Sequence, residues 1–365
     1  MSWERLKEKK LQKRLIKRAC ILRLVREFFI SKNFIEVETP LVVHAAGQEP
    51  YLDPFEVKFL GPTHNPVSSF LITSPEYAHK KLLASGFKKT FEITRSFRGG
   101  EPWGGTHNPE FTMIEWYHAG ADYKQTMKET EEMVYFVAAR LRGRLSKNLQ
   151  SPKFNLHINS KSKIQKLTIL YNGNEIDLTP PWERLSMQKA WERYAGVEKH
   201  AKIYDREFLR AFCLKRGYHA GKHDTYDDLF FKIFLTEVEP KLGRGKPTFL
   251  YDYPASMAAL ARKKKTDPRW AERFEVYAGG LELGNAFSEL NDAKEQRKRF
   301  LEERRLRRKL GKPAIPLDED FLDALDHMPP SAGIAFGIDR LVMLLTDAKS
   351  IDEVLAFPAG KIFLP

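Results

Sequence analysis

Two neighbouring stretches of this chain alternate their residue types with a period of two, and they restrict the fold more than any other feature. Residues 90–98 read Thr-Phe-Glu-Ile-Thr-Arg-Ser-Phe-Arg, and 110–117 read Glu-Phe-Thr-Met-Ile-Glu-Trp-Tyr. In a strand, successive side chains point to opposite faces, so Glu92, Thr94, Ser96 and Arg98 share one face of the first. Phe111, Met113, Glu115 and Tyr117 share one face of the second. The connection carries Gly99, Gly100, Gly104 and Gly105, which suits an antiparallel pair joined by a long loop. A face with two carboxylates, a tyrosine and an arginine is costly to bury unless it lines a polar pocket. The other reading is the exposed face of a two-layer sheet.

The rest of the chain supplies partners for such a pair. Residues 4–30 place Leu15, Ala19, Leu22, Val25 and Phe29 on one helical face. Residues 34–39 alternate and stop at Pro40. Residues 55–59 and 70–72 read as strands. The second runs into Ser74-Pro75-Glu76, a helix start with Ser74 as N-cap and Pro75 at the first helical position, and Gly86 suits the end of that helix. Residues 121–141 read as a helix, 143–178 as an inserted hairpin around Asn172-Gly173, and 184–240 as helical. Residues 249–253 form a strand, and 274–277 and 281–283 a hairpin turning on Gly279-Gly280. A charged helix covers 291–309, and a strand over 333–338 leads into a helix from Asp339. Without βαβ alternation, this pattern predicts an α+β architecture with a mainly antiparallel sheet flanked by helices.

Composition narrows the function classes. No stretch is apolar enough for a membrane span, and the Lys- and Glu-rich N-terminus lacks the apolar core of a secretory signal. Cys20 and Cys213 are too few for a disulfide framework or a zinc site. The expectation is a cytoplasmic protein. The net charge of +13 would attract a polyanion or an acidic protein. Basic residues concentrate in 5–18, 263–265 and 297–309, where a solvated helix face is the plainer reading.

Two further segments bear on chemistry. Glu282 and Glu289 stand seven residues apart with Gly284 and Asn285 between them, suited to a bend. Two such carboxylates can hold Mg²⁺ against phosphate oxygens, although surface acids are far commoner. In 333–340, Gly-Ile-Ala-Phe-Gly-Ile-Asp-Arg, small residues recur at alternate positions and Gly337 permits close approach of a ligand. Arg340 opposes the helix dipole. A core strand that needs small side chains accounts for the same pattern.

These segments resemble the class II aminoacyl-tRNA synthetases. Residues 34–40, Phe-Ile-Glu-Val-Glu-Thr-Pro, look like motif 1. Arg95-Ser-Phe-Arg98 followed by 107–117, His-Asn-Pro-Glu-Phe-Thr-Met-Ile-Glu-Trp-Tyr, looks like motif 2 of the lysyl subgroup, and 333–340 looks like motif 3. Thr73-Ser-Pro-Glu-Tyr77 and Phe287-Ser-Glu-Leu-Asn-Asp292 also match that subgroup. Only 33 residues precede Phe34, fewer than an anticodon-binding domain requires. The layout, together with Ala335 where synthetases of the subgroup have glycine, resembles the elongation factor P–lysine ligases. The resemblance implies a single catalytic domain over 1–365 with a basic N-terminal helical extension, 1–18.

What the resemblance implies for the site follows residue by residue. Arg98 would bind the α-phosphate of ATP and stabilise the transition state. Phe111 and Arg340 would sandwich adenine; Glu101, His107, Asn108, Leu283 and Gly337 would line the ATP site. Glu282 and Glu289 would serve Mg²⁺ and ATP, with Glu289 close to the amino acid. Ser74, Pro75 and Glu76 would hold its amino group, Glu115 and Tyr117 would read its side-chain amine, and Ala335 would shape the pocket. The implied acceptor is elongation factor P, the amino acid lysine or β-lysine, and the assembly a homodimer; tRNA is not the expected acceptor. The sequence departs from the family pattern at Phe97-Arg98-Gly99-Gly100-Glu101, one residue longer than usual, so Glu101 can replace the family's glutamate only if the loop bulges. Two other readings remain: a truncated synthetase that charges tRNA or another acceptor, and a non-catalytic paralogue that acts as a regulatory or nucleic-acid-binding module.

Overall fold

A computed structural model describes residues 3–62, 64–145 and 165–363. Its centre is an eight-stranded sheet. From one edge, the order is Ile35–Glu36, Lys89–Phe97, Glu110–Ala119, Ser331–Gly337, Leu281–Ser288, Trp270–Ala278, Thr248–Pro254 and Glu183–Ser186. The inner pairings are antiparallel, and each edge strand pairs parallel to its neighbour. The first expected pair forms in the register the alternation requires, with Glu92 opposite Glu115, Thr94 opposite Met113 and Ser96 opposite Phe111.

Period-two alternation divides the sheet into an apolar and a polar face. Phe91, Ile114, Trp116, Ile334, Phe336, Ala286 and Phe274 point to one side and are buried there. Helices Lys9–Ser31, Tyr123–Leu145 and Ile338–Thr346 close over them. Phe34 belongs to this core, packed edge-on to Phe29 at 5.2 Å, whereas Ile35 points outward. The opposite face carries Glu92, Glu115, Tyr117, Asn285 and Ala335. Helices Glu76–Ala84, Ala293–Lys309 and Glu319–His327 flank it through a smaller cluster that includes Leu83, Phe300 and Phe321.

Several expectations need correction. Residues 281–288 do not bend; they form one strand of the 270–288 hairpin, with a register irregularity that leaves Leu283 without a cross-strand partner. The helix after Tyr123 runs to Leu145, so only Thr168–Tyr171 and Asn174–Asp177 form the hairpin around Asn172-Gly173. Residues 146–164 of the expected insertion lie outside the described residues. The basic N-terminal segment is tied to the rest of the fold. Trp3–Lys7 is a short 3₁₀ turn leading into the 9–31 helix, Arg5 donates to the carbonyls of Leu355 and Ala356, Arg14 pairs with Glu353, and Arg18 pairs with Asp339. Among the described residues no helix is long and apolar enough to cross a membrane.

Candidate functional site

The polar face carries two adjoining cavities. The smaller, about 270 Å³, is lined by Arg98, Glu101, His107, Asn108, Phe111, Glu282, Leu283, Gly337 and Arg340. In the loop between Phe97 and Glu110, Gly100 has a φ of +74°, which glycine adopts without strain. Glu101 faces His107 at 3.6 Å. Arg98 stacks over the Phe111 ring, 5.1 Å from its centroid. Among the described residues its hydrogen bonds are long ones to the Thr73 carbonyl, which leaves guanidinium capacity directed at the cavity. Arg340 donates to the Glu282 carbonyl at 2.7 Å and stands 3.1 Å from His107 Nε2. Burial and the Arg340 charge hold His107 below the usual histidine range, so near neutral pH its ring is an uncharged acceptor. Asn108 also ties down the C-terminal segment, accepting from the Ala359 amide at 2.9 Å.

The larger cavity, about 740 Å³, is lined by Ser74, Glu76, Tyr117, Glu289 and, further out, Lys298 and Glu303. Glu76 begins the 76–84 helix, and Pro75 occupies its cap position. Ser74 therefore lies one residue earlier than expected, and its hydroxyl accepts from the Glu76 amide at 3.1 Å. Pro75 is buried and does not line the cavity. Neither does Glu115, which is fully buried; it accepts from Ser74 Oγ at 2.5 Å and from Tyr117 OH at 2.7 Å. Burial and the nearby Glu76 push its carboxyl up to about 8. Tyr117 thus faces the cavity with Glu115 behind it.

Arg98, Asn285 and Ala335 line both cavities. Ala335 sits opposite Asn285 on one neighbouring strand and opposite Glu115 on the other. A group held in the large cavity can therefore meet one held in the small cavity beside a guanidinium.

Glu282 and Glu289 are not brought together as a pair. Seven residues of extended strand span roughly 20 Å, too far for one small cation. Glu282 lines the small cavity, while Glu289 lies in the large one with Lys80 Nζ 2.6 Å from Oε2. The carboxylate that acts on Glu282 is Glu275, two residues from its cross-strand partner Tyr277. Partial burial and the Glu275 charge hold Glu282 above the usual carboxylate range. Glu275 was legible in principle, because it precedes Glu282 by the same seven residues that drew attention to Glu289. Asn285 and Lys80 also went unread: one suggested only a bend, and the other stands in no motif that would mark it.

Comparison with known proteins gives a consistent picture. A family model described as tRNA synthetases class II (D, K and N) matches residues 2–361. The elongation factor P–(R)-β-lysine ligases of Salmonella dublin and Salmonella heidelberg are each 38% identical over 351 residues, covering 95% of both chains.

Proposed function

The chain belongs to the class II tRNA synthetases of the D, K and N group, and from that premise we propose that it activates lysine or β-lysine with ATP and transfers it to a lysine side chain of elongation factor P. The observation that carries the reading is the junction of the two cavities at Arg98. ATP occupies the small cavity, with adenine between Phe111 and Arg340 and with Glu101, His107, Asn108, Leu283 and Gly337 around it. The amino acid occupies the large one, its amines facing Glu76, Glu289 and Tyr117, with Ser74 and Glu115 holding Tyr117 in place. Its carboxylate, already ionised, attacks the α-phosphate in line; pyrophosphate leaves and an aminoacyl-adenylate forms. Arg98 stabilises the charge that builds on the phosphate, and the remaining contribution is positioning. An amine of the acceptor then attacks the adenylate carbonyl and AMP leaves.

Mg²⁺ is bound by one or two carboxylates plus substrate phosphate oxygens. Glu282 with Glu275 fits that description, and the ion would neutralise phosphate charge there. We place the activity in the cytoplasm, in a single catalytic domain that pairs into a homodimer through the exposed apolar side chains Ile35, Phe55, Phe59 and Leu60. The test is ATP–pyrophosphate exchange with a panel of amino acids, followed by the intact mass of elongation factor P after incubation with ATP and the preferred one. A gain of one lysyl group on one lysine is expected. Charging of tRNA with the factor left unmodified would overturn the reading.

A further inference from the structure

Lys80 is the most deeply buried lysine of the described chain, its side chain 1% exposed. It stands one turn after Glu76 on the 76–84 helix, so the two share a face. Its ammonium is 2.5 Å from Glu76 Oε1 and 2.6 Å from Glu289 Oε2. Two oxygens that close to one nitrogen are no more than about 5 Å apart. Helix and sheet therefore deliver two carboxylates to one place, and Lys80 takes one oxygen of each.

The remaining oxygens are what matters for a ligand. Glu289 is 1% exposed; its Oε2 stands in the ion pair with Lys80, and, like Oε2, its Oε1 is buried without a partner in hydrogen-bond geometry. Space for that oxygen exists because residue 333 is glycine. A Cβ there would lie 2.6 Å from Glu289 Oε1 and 2.3 Å from the Tyr117 ring. Both glutamates line the large cavity. A buried carboxylate with an unsatisfied oxygen, beside an identical neighbour, is an ammonium receptor.

We propose that Lys80 is a positioning residue for amine recognition: it holds the inner oxygens of Glu76 and Glu289 so that their outer oxygens converge on an ammonium of the substrate. Without it, two buried carboxylates repel and one neutralises by taking a proton, which removes an acceptor from the receptor. Burial alone would lower the Lys80 ammonium, yet the charges of Glu289 and Glu76 outweigh it and hold the group above its ordinary value. The Lys80 ammonium is therefore charged throughout the neutral range, whereas burial pushes the Glu289 carboxyl up despite the lysine beside it. The proposal deepens the amino-acid activation reading and rests on it.

The experiment compares Lys80→Met and Lys80→Arg with the wild type in ATP–pyrophosphate exchange. The substrates are lysine, norleucine, which lacks the terminal amine, and 6-aminohexanoic acid, which lacks the amine near the carboxylate. With Lys80→Met, preference for lysine over one of the mono-amines is expected to fall by at least about tenfold, with KM for ATP changed less than about twofold. Lys80→Arg keeps the cation and is expected to retain more of that preference. An equal loss with all three amino acids, or a KM for ATP that rises as much as that for lysine, would mean Lys80 only supports the fold and would overturn the proposal. Should Lys80→Met fail to fold, Lys80→Gln, which removes the charge but keeps a polar side chain, takes its place, with the same two outcomes. Absence of exchange by the wild type would overturn the activation reading and this proposal with it.

Discussion

Arg98 touches both cavities, while its hydrogen bonds to protein are two long contacts with one carbonyl. A charge held in that way acts on whatever is bound. Arg98→Ala should therefore lower exchange by about 10²-fold or more, the usual cost of removing a donor aimed at developing charge. The melting temperature should barely change, and exchange near the wild-type rate would dismiss the role. Ala335 is the other residue at the junction, between Asn285 and Glu115. Its methyl is the side chain the sequence distinguishes from the synthetase pattern. Ala335→Gly is expected to shift the ratio of exchange with α-lysine over β-lysine upward by about tenfold, the effect of one methyl in a close-fitting pocket. An unchanged ratio would reduce Ala335 to packing. At this scale the sequence was informative wherever a motif fixes a role and silent wherever a role depends on distant strands. Every residue assigned to ATP lines one cavity, whereas the Glu282–Glu289 pairing failed because spacing alone cannot distinguish a bend from an extended strand.

Among elements, the helix Ala293–Lys309 illustrates why charge runs resist reading. Its seventeen residues look uniformly solvated, yet Gln296, Phe300 and Arg307 are buried. Arg307 donates to the carbonyls of Glu49, Leu52 and Pro313, and the first two are partners remote in sequence that no periodicity could announce. The antiparallel inner strands were legible because each alternates over enough residues to reveal its face. Of the edge strands, Ile35–Glu36 lies within the alternating 34–39 segment, whereas Glu183–Ser186 overlaps the 184–240 segment expected to be helical, too short to reveal its face, and parallel pairing has no turn to signal it. On the cavity side of the same helix, burial and the facing Glu49 push the Glu303 carboxyl up to about 8. The sign follows directly: a folded-state value above the unfolded one means the folded state holds the proton more tightly. Stability from that proton is complete below about pH 4.5 and is lost as pH rises through about 8. Glu303→Gln should therefore raise the melting temperature at pH 9 by on the order of 2 °C and leave it unchanged at pH 4. A shift of the same size at both pH values would show that charge is not the cause.

For the whole molecule, two surfaces have distinct prospects. Of the apolar side chains Ile35, Phe55, Phe59 and Leu60, each at least 40% exposed, Ile35 lies on the short first strand and the others on or just before Glu56–Leu60, an edge of a second sheet formed with Pro66–Leu71 and Val42–Val43. Light scattering at micromolar concentration should give about 85 kDa, twice the chain's 42.3 kDa; a monomer would count against pairing through this surface. The excess of positive charge is distributed less evenly than the sequence suggests. Both basic segments 5–18 and 297–309 looked equally able to meet an acidic acceptor. However, Arg5, Arg14 and Arg18 are engaged within the fold, so the N-terminal segment contributes less than its charge count. On the 293–309 helix, Lys294, Arg305, Arg308 and Lys309 are exposed, and Lys298 on the same helix lines the large cavity. An acidic protein drawn to that helix would arrive beside the opening through which its lysine must pass. Surface charge of this kind acts mainly on association and weakens as salt rises past about 0.15 M, where the Debye length is about 8 Å. The double substitution Arg305→Glu/Arg308→Glu should therefore slow transfer to elongation factor P by about tenfold or more at low salt, while exchange, which needs no acceptor, proceeds as in the wild type. Wild-type transfer should fall with added salt, and transfer by the variant should depend on salt only weakly. If the variant transfers as fast as the wild type at low ionic strength, the acceptor approaches from another side, and the charge on this helix serves only solvation.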